Sequence, residues 1–261
     1  MSSAADVLIV GAGIAGCEAA WRCAHAGLTA VLVTTNLDTV YNLASPAAHL
    51  QPPADSLMER VVRDIAPSRE GIRSWDLHRG AKYALEATPA IHLLQSTVSD
   101  LLLDERGAVI GASTWEGIDR RAGATALCVG SFLRARLHAG EVTETHGRLS
   151  EMAYDDLYER LVELGFEFVP VSFTGEPFGG SLEYVVETVA FAPGERGTAA
   201  RSAAGQGTSS SALWRANGLF AAGVCASPLG GGTAAADMTY AAVARQGMAL
   251  GDDLVAAHAL R

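Results

Sequence analysis

Three glycines near the start of the chain, Gly11, Gly13 and Gly16, form a G-x-G-x-x-G pattern between an apolar run and a helix-forming segment. This order fits the pyrophosphate of a dinucleotide. The first glycine permits a sharp turn, the second removes a Cβ beside the phosphates, and the third lets the helix pack closely on the strand. Ile14 and Ala15 then open a helix whose free N–H groups and dipole point at the anion. The alternative is a tight strand-to-helix turn that binds nothing.

A second candidate contact follows the next apolar run, which is predicted to be a buried strand over 29–34. In dinucleotide-binding folds an acidic residue usually ends this strand and holds the ribose hydroxyls. Here Thr34, Thr35 and Asn36 stand at that point, with Asp38 shortly after them. Either Thr34 or Asn36 supplies a weaker contact, or Asp38 reaches back to the ribose. Equally, Asn36 and Asp38 only cap a turn.

The chain also contains four cysteines, whose thiols could be reactive: Cys17, Cys23, Cys128 and Cys225. They form no C-x-x-C pair and have no metal-ligand spacing, so we predict no metal site. Cys17 and Cys23 lie in the predicted first helix and Cys128 in an apolar strand, where thiols are usually inert core residues. Buried, unpaired thiols fit a reducing compartment, and we expect a cytoplasmic location.

Composition and charge narrow the classes of function. The chain has 261 residues, 49% of them apolar, enough for one large domain or one domain with a small insertion. Its net charge of −10 at pH 7 makes a poor electrostatic surface for nucleic acid. We recognise no secretory leader and no membrane-spanning segment. The one local basic cluster, interpreted as solvated strand and loop surface, comprises Arg120, Arg121, Arg134, Arg136 and His138.

Hydrophobic periodicity and stop signals predict the helices that position these residues. A first helix covers 14–26 and ends at Gly27, and others cover 56–65 and 74–86. The last helix is rich in alanine and ends near His258. A further amphipathic helix is predicted to begin at the N-cap Ser150, to end at Gly165, and to bury Met152, Leu157, Leu161 and Leu164.

The predicted strands are short and separated by turn residues. A hairpin over 108–121 turns at Glu116 and Gly117 and has a short second arm. A Pro- and Ala-rich loop over 45–55 crosses the carboxyl edge of the sheet, and the Gly-, Ala- and Ser-rich segment 193–212 is predicted to be flexible. The other strands are predicted over 91–95, 96–102, 124–129, 166–173, 182–191 and 218–223.

A strand, a β-meander and another strand after a first βαβ unit are typical of FAD domains rather than NAD-only domains. We therefore predict an α/β fold: a Rossmann-like FAD-binding domain of the glutathione-reductase type, with a central parallel sheet, a β-meander crossover and a small inserted α+β segment. Residues 1–140 and 213–261 would form the FAD-binding domain, and 141–212 the insertion.

Four segments of the chain resemble the GidA (MnmG) family of FAD-dependent flavoproteins that modify the wobble uridine of tRNA, and the related folate-dependent tRNA methyltransferases. The first phosphate loop at 6–20 includes the Gly-Cys-Glu-Ala-Ala continuation that most Rossmann proteins lack. The family also shares the threonine in place of the ribose acid. The other matching segments lie at 35–40, 128–133 and 218–223.

The resemblance implies FAD as cofactor, with NADH or NADPH as a possible reductant. The glycine turn would hold the pyrophosphate, Val98 would bond the adenine through its backbone, and Gly130 with Ser131 would lie near the adenosine. Gly223 and Val224, with the loop before the last helix, would hold the ribityl chain and the flavin ring. A helix N-terminus near Thr239 would stabilise negative charge on the reduced flavin.

The departures from the family shape the expected function. The family's longer proteins carry a nicotinamide-binding insertion and a helical C-terminal domain that engages tRNA and a GTPase partner. The family's Cys-Asn-Pro-Ala loop is replaced at 43–47 and its Gly-Tyr-x-Glu segment at 230–237. We therefore expect a short, stand-alone FAD domain that does not act on nucleic acid by itself.

Three functions remain open on the sequence. The first is an FAD-dependent oxidoreductase, in which Cys225 is the best catalytic candidate beside the flavin, against a purely packed role; His49 and Tyr240 are weaker candidates. The second is a non-catalytic flavin-binding subunit or remnant of a tRNA-modification assembly, with a protein partner. The third, an NAD-only enzyme, is disfavoured by the segment 218–223. A homodimer is expected to cover apolar surface left by the missing domains.

Overall fold

The computed structural model describes residues 4–43, 50–65, 71–148, 151–175, 184–192, 214–216, 218–226 and 240–260. The helices within these ranges are α1 (Ile14–His25), α2 (Leu57–Asp64), α3 (Ser74–Glu86), α4 (Asp156–Glu163) and α5 (Tyr240–Ala259). The first seven strands are β1 (Ala5–Val10), β2 (Ala30–Thr34), β3 (Ile91–Gln95), β4 (Val98–Leu103), β5 (Val109–Thr114), β6 (Asp119–Leu127) and β7 (Arg136–Ala139). The others are β8 (Val142–Glu144), β9 (His146–Arg148), β10 (Glu151–Met152), β11 (Phe168–Gly175), β12 (Tyr184–Phe191), β13 (Trp214–Ala216) and β14 (Leu219–Ala221).

The central sheet has parallel strands in the order β14-β6-β1-β2-β3, with β13 antiparallel at one edge. Strands β1, β2 and β14 consist mainly of apolar residues, because both faces of the sheet are covered there. In β1, Val7 and Ile9 pack into the core under the helices, whereas Leu8 and Val10 pack into the core on the other face. This arrangement confirms the predicted α/β class with a central parallel sheet.

A β-meander of β4, β5 and β6 branches from the central sheet, as predicted. The prediction of a short hairpin arm followed by a separate strand over 124–129 was wrong, because β6 is one continuous strand. Its first part pairs antiparallel with β5, and its later part pairs parallel with β1. The residues of β6 change from a half-exposed to a buried pattern along the strand, and this change suggested two separate strands in the sequence. It occurs where the strand leaves one set of neighbours and pairs with another.

A second sheet has four strands in the order β11-β12-β7-β8, and its strand β7 precedes residues 141–212, which were predicted to form the insertion. The predicted antiparallel pairing of β11 with β12 is confirmed. The predicted helix from Ser150 is shorter than expected: α4 begins at Asp156, and Ser150 lies outside the described residues. Leu157 and Leu161 are buried as predicted, but Met152 lies in β10 and is 60% exposed. Local pairing of β10 with β9 takes Met152 out of the helix.

Helix α5 crosses α1 at close range, and two glycines make this possible. A Cβ on Gly247 would overlap the carbonyl oxygen of Ala15, and a Cβ on Gly251 would lie 2.5 Å from Cβ of Arg22. The last helix is thereby held against the helix that follows the glycine turn. Within the described ranges, no helix is both long enough and apolar enough to cross a membrane.

Because α5 packs closely on α1, we predict that a Gly→Ala substitution in α5 destabilises the protein, although this substitution usually stabilises a helix. In an open helix, Gly→Ala stabilises by about 1 kcal/mol. We expect Gly247→Ala to lower the free energy of unfolding by about 1–3 kcal/mol instead, because its Cβ meets the backbone of α1. Urea unfolding followed by circular dichroism measures the change, with the exposed Ala256→Val as a control near the wild-type value. A stabilised Gly247→Ala protein would contradict the close crossing.

Candidate functional site

A cavity of about 410 Å³ lies across the carboxyl ends of the parallel strands. Its wall contains residues that directly follow each of the five strands: Ser96 after β3, Thr35 after β2, Gly11 after β1, Cys128 after β6, and Val224 shortly after β14. At a strand spacing of about 4.8 Å, these ends span roughly 19 Å. The carboxyl edge of an open α/β sheet is where ligands bind in this class of fold.

Many of the predicted site residues line this cavity, and several do not. Those that line it are Gly11, Gly13, Ile14, Thr34, Thr35, Val98, Gly130, Ser131 and Val224, together with the weaker candidate Tyr240. Those that do not line it are Ala15, Gly16, Asn36, Gly223 and Cys225. Thr239, His49 and the segments 193–212 and 230–237 lie outside the described residues.

The three glycines of the turn have different structural requirements. Gly11 has φ +104°, and a Cβ on it would overlap the carbonyl oxygen of Cys128. A Cβ on Gly16 would overlap the carbonyl oxygen of Gly11. Gly13 has an ordinary φ of −72°, and its Cβ would meet nothing within 4 Å. The protein therefore excludes side chains at the first and third glycines, whereas the second leaves open space beside the cavity.

The N-terminus of α1 faces this space without a side-chain cap. Gly13 is the N-cap residue, and the first turn carries no acidic residue. The first backbone N–H groups of a helix have no partner within the helix, so they and the positive end of the dipole are available to an anion. The turn fits a diphosphate, because it combines donors with the room that the missing Gly13 side chain leaves.

The sequence left open whether Asn36 contacts the ribose or caps a turn, and the structure at the end of β2 shows a cap. The side chain of Asn36 accepts a hydrogen bond from the N–H of Asp38 at 2.8 Å and caps the short 3-10 turn Leu37–Thr39. The hydroxyl of Thr34 donates to the carbonyl of Asn36 at 3.2 Å. Asn36 is thus used in capping, and Thr34 and Thr35 are the residues of this group that reach the cavity.

The buried carboxylate of Glu18, which was not among the candidate residues predicted from the sequence, connects Tyr41 to the start of α2. Glu18 is fully buried and accepts hydrogen bonds from the Tyr41 hydroxyl at 2.5 Å and from the N–H groups of Leu57 at 2.8 Å and Met58 at 2.9 Å. These two N–H groups belong to the first turn of α2, whose dipole favours a negative charge there. The Glu of the Gly-Cys-Glu-Ala-Ala segment was the signal that could have identified it.

Tyr41 links this carboxylate to the glycine turn. Its backbone has φ 54°, in the left-handed region, and its N–H donates to the carbonyl of Ala12 at 2.9 Å. The segment 37–43 is thereby held beside the turn, so that Thr39 and Asn42 line the cavity. Burial is the main reason that the pKa of Glu18 is raised, and the three hydrogen bonds oppose that shift.

The thiols are placed in the core rather than at a reactive surface. Cys225 is fully buried, and its Sγ donates to the carbonyl oxygens of Leu127 and Ala222. Burial raises the pKa of Cys225 to about 12 and also raises that of Cys128, which disfavours the nucleophilic thiolate. All four cysteines are free, and the part of the chain that the structure describes contains no cluster of side chains able to hold a metal ion.

Another part of the cavity wall comes from residues in 147–148 and 151–157. The hydroxyl of Ser131 donates to the carbonyl of Gly147 at 2.5 Å and joins this wall to the end of β6. Arg148 and Glu151 form an ion pair at 2.6 Å and are the only charged side chains among the described residues that line the cavity. Tyr154 and Leu157 complete this wall. A ligand here would contact a mainly apolar cavity with few fixed charges.

Comparisons with known proteins assign this chain to a family. The family described as Glucose inhibited division protein A matches residues 6–66 and 65–177. The tRNA uridine 5-carboxymethylaminomethyl modification enzyme MnmG of Chlamydia caviae is 32% identical over 197 residues, which cover 66% of this chain and 32% of that protein. The chain thus spans about a third of the length of the curated relatives it matches.

Two solved structures extend the comparison. The GidA-related protein from Thermus thermophilus is 36% identical with a TM-score of 0.78, and the match covers 97% of this chain and 99% of that one. PqsL of Pseudomonas aeruginosa, a probable FAD-dependent monooxygenase, shares only the fold, with a TM-score of 0.51 at 12% identity over 97% of this chain and 86% of that one.

The parallel sheet, the meander and the glycine turn at the strand ends define a Rossmann-like α/β protein with the fold of FAD-dependent oxidoreductases. Within that class, the chain belongs to the GidA family.

The Glu18 network predicts a pH-dependent difference in stability. Because burial raises the pKa of Glu18 in the folded state, the folded chain holds more protons than the unfolded one between the two pKa values. The contribution of Glu18 to stability therefore falls as pH rises through that window. We expect the stability advantage of the wild type over Glu18→Gln, measured by urea unfolding, to be largest below the ordinary pKa of a glutamate and to shrink as the pH rises above it. Parallel profiles would contradict the buried carboxylate.

Proposed function

We propose that this chain is an FAD-binding flavoprotein of the GidA family and a redox protein. The observation that carries the proposal is Gly13: the protein leaves its side-chain position open, at the N-terminus of α1 and in the wall of a cavity that crosses five strand ends. No neighbouring protein atom requires a glycine at this position. A glycine here is explained if the protein backbone must approach the pyrophosphate of a ligand closely.

The extent of the cavity supports FAD over a mononucleotide. On one side of the glycine turn it reaches Thr34 at the end of β2 and Val98 at the start of β4, where an adenosine would lie. On the other side it reaches Val224, Tyr240 and Val243, at the end of β14 and the start of α5, where a flavin ring would lie. Two arms on either side of one turn match a dinucleotide whose phosphates lie at its middle.

Bound flavin would supply the electron transfer, since the hard chemistry of such enzymes belongs to the cofactor. The residues of this chain would bind and orient it: the glycine turn would hold the phosphates, the wall formed by residues in 147–148 and 151–157 would limit access of water, and Thr34 or Thr35 would contact the ribose. We propose residues 1–140 and 213–261 as the FAD-binding domain, 141–212 as the insertion, and NADH or NADPH as the reductant in a cytoplasmic setting.

A second candidate is a flavin-binding subunit without chemistry of its own, associated with tRNA modification through a protein partner or as a homodimer. The burial of Cys225 and the small number of ionisable side chains at the cavity favour it. The names of the relatives support the tRNA connection.

Cofactor identity and reducibility separate these candidates. Purified protein should be yellow and release FAD on denaturation, as identified by chromatography against FMN and FAD standards. Anaerobic stopped-flow mixing with NADH or NADPH should then bleach the flavin absorbance if the chain is an oxidoreductase. Bound FAD that neither reductant bleaches favours the subunit, and protein that binds no FAD under any condition contradicts both candidates.

The two glycines of the turn give a matched pair of variants. We expect Gly13→Val to lower FAD affinity by at least about a hundredfold, because its side chain occupies the space of the phosphates, while the apo protein unfolds within about 0.5 kcal/mol of the wild type. Gly16→Val should instead destabilise the fold itself, because its Cβ overlaps the carbonyl of Gly11. Titration with FAD and urea unfolding measure the two effects. A fully loaded Gly13→Val protein would contradict the proposed phosphate position.

A further inference from the structure

Two aromatic side chains form a fixed pair at one end of the cavity. The rings of Trp115 and Tyr154 lie 5.1 Å apart at an interplanar angle of 79°, an edge-to-face arrangement. The indole N–H of Trp115 donates to the carboxylate of Asp156 at 3.0 Å. The β5–β6 hairpin, which carries Trp115, is thus fastened to the start of α4, and the position of Tyr154 is set between them. Favourable edge-to-face contacts and a satisfied indole N–H restrict the rotation of both rings.

The pair stands at the far end of the row of strand ends. The backbone N–H of Trp115 donates to the carbonyl of Thr97 at 2.9 Å, directly before β4. The hydroxyl of Ser96 donates to Glu116 in the same hairpin turn at 2.7 Å. Tyr154 lines the cavity together with Ser96, Thr97 and Val98. Since β3 is the edge strand of the parallel sheet, this end lies opposite to that formed by Val224 after β14.

Tyr154 is only partly buried and lines the cavity, so part of its side chain is accessible to a ligand there. Its edge-to-face contact with Trp115 holds the ring in place beside that space. No other aromatic residue among the described cavity-lining residues lies in or next to the hairpin–β4 wall; Phe132, Tyr184 and Tyr240 belong to other parts of it. Stacking on an aromatic ring is a favourable contact for any nucleobase, because each base has a π face.

We propose that Tyr154, oriented by Trp115, is the stacking surface for the adenine of the bound dinucleotide, and that it makes the cavity select FAD over FMN. The proposal rests on the proposed FAD-binding function and adds the residue that recognises the end of the cofactor farthest from its reactive ring. Tyr154 binds the purine and Trp115 is a positioning residue, since it acts through Tyr154. Both side chains lie within residues 65–177, which match the family.

The test compares ligands that carry or lack the adenine. Affinities for FAD, ADP and FMN are measured by calorimetry for the wild type, Tyr154→Phe, Tyr154→Leu and Tyr154→Ala. We expect Tyr154→Ala and Tyr154→Leu to weaken FAD and ADP by about tenfold or more and to leave FMN within about twofold, whereas Tyr154→Phe keeps all three affinities. The leucine variant retains apolar bulk without a π face, so it keeps the test valid if the alanine variant unfolds.

A spectroscopic measurement tests the position of the pair without relying on flavin. Titration of the wild type with ADP should quench tryptophan fluorescence, and Trp115→Phe should lose most of that response. Equal weakening of FAD and FMN in the Tyr154 variants, or no weakening of either, would overturn the proposal. Binding of ADP that depends on Tyr154 in a protein that does not bind FAD would instead uphold the stacking role and remove the proposed FAD function.

Discussion

The carboxyl end of β1 is built on backbone contacts that leave no room for a side chain. Gly11 turns the chain against the carbonyl of Cys128 at the end of β6, and Gly16 brings α1 down onto Gly11 itself. These contacts fix the helix N-terminus relative to two neighbouring strands. The N–H of Cys128 donates to the carbonyl of Val10 at 2.7 Å and continues the same pairing to the last residue of the strand. The cavity exists where it does because this junction holds three backbone segments together.

The elements around the junction have separate tasks in the proposed site. The sheet aligns the strand ends, and the Gly247 contact in α5 keeps the last helix against α1. The Glu18–Tyr41 hydrogen bond holds the segment that follows β2 beside the glycine turn. The hydrogen bond from Ser131 to Gly147 joins the segment after β6 to another part of the cavity wall. Most of the recognition would therefore be made by backbone and apolar groups, since Arg148 and Glu151 are the only charged side chains at the cavity among the described residues.

The sequence predicted the parts of this fold whose signals are local. The glycine turn, α1 and α3 carry their own caps, periodicity or stop residues, and their bounds agree within a residue or two with the structure. Long-range pairing decided the rest. The two pairings of β6 depend on β5 and β1, and Met152 left the helix pattern because β10 pairs with β9. The Glu18 contacts join residues 23 to 40 positions apart, so no local pattern announces them.

In the proposed complex, a dinucleotide lies along the strand ends with its phosphates at the glycine turn. A crystal structure of the protein grown with FAD measures this directly. It should show the pyrophosphate against Gly13 and the first N–H groups of α1, the adenine beside Val98, and the flavin ring near Val224 and Tyr240. Density for FAD at another place, with the glycine turn in contact with solvent alone, would contradict it.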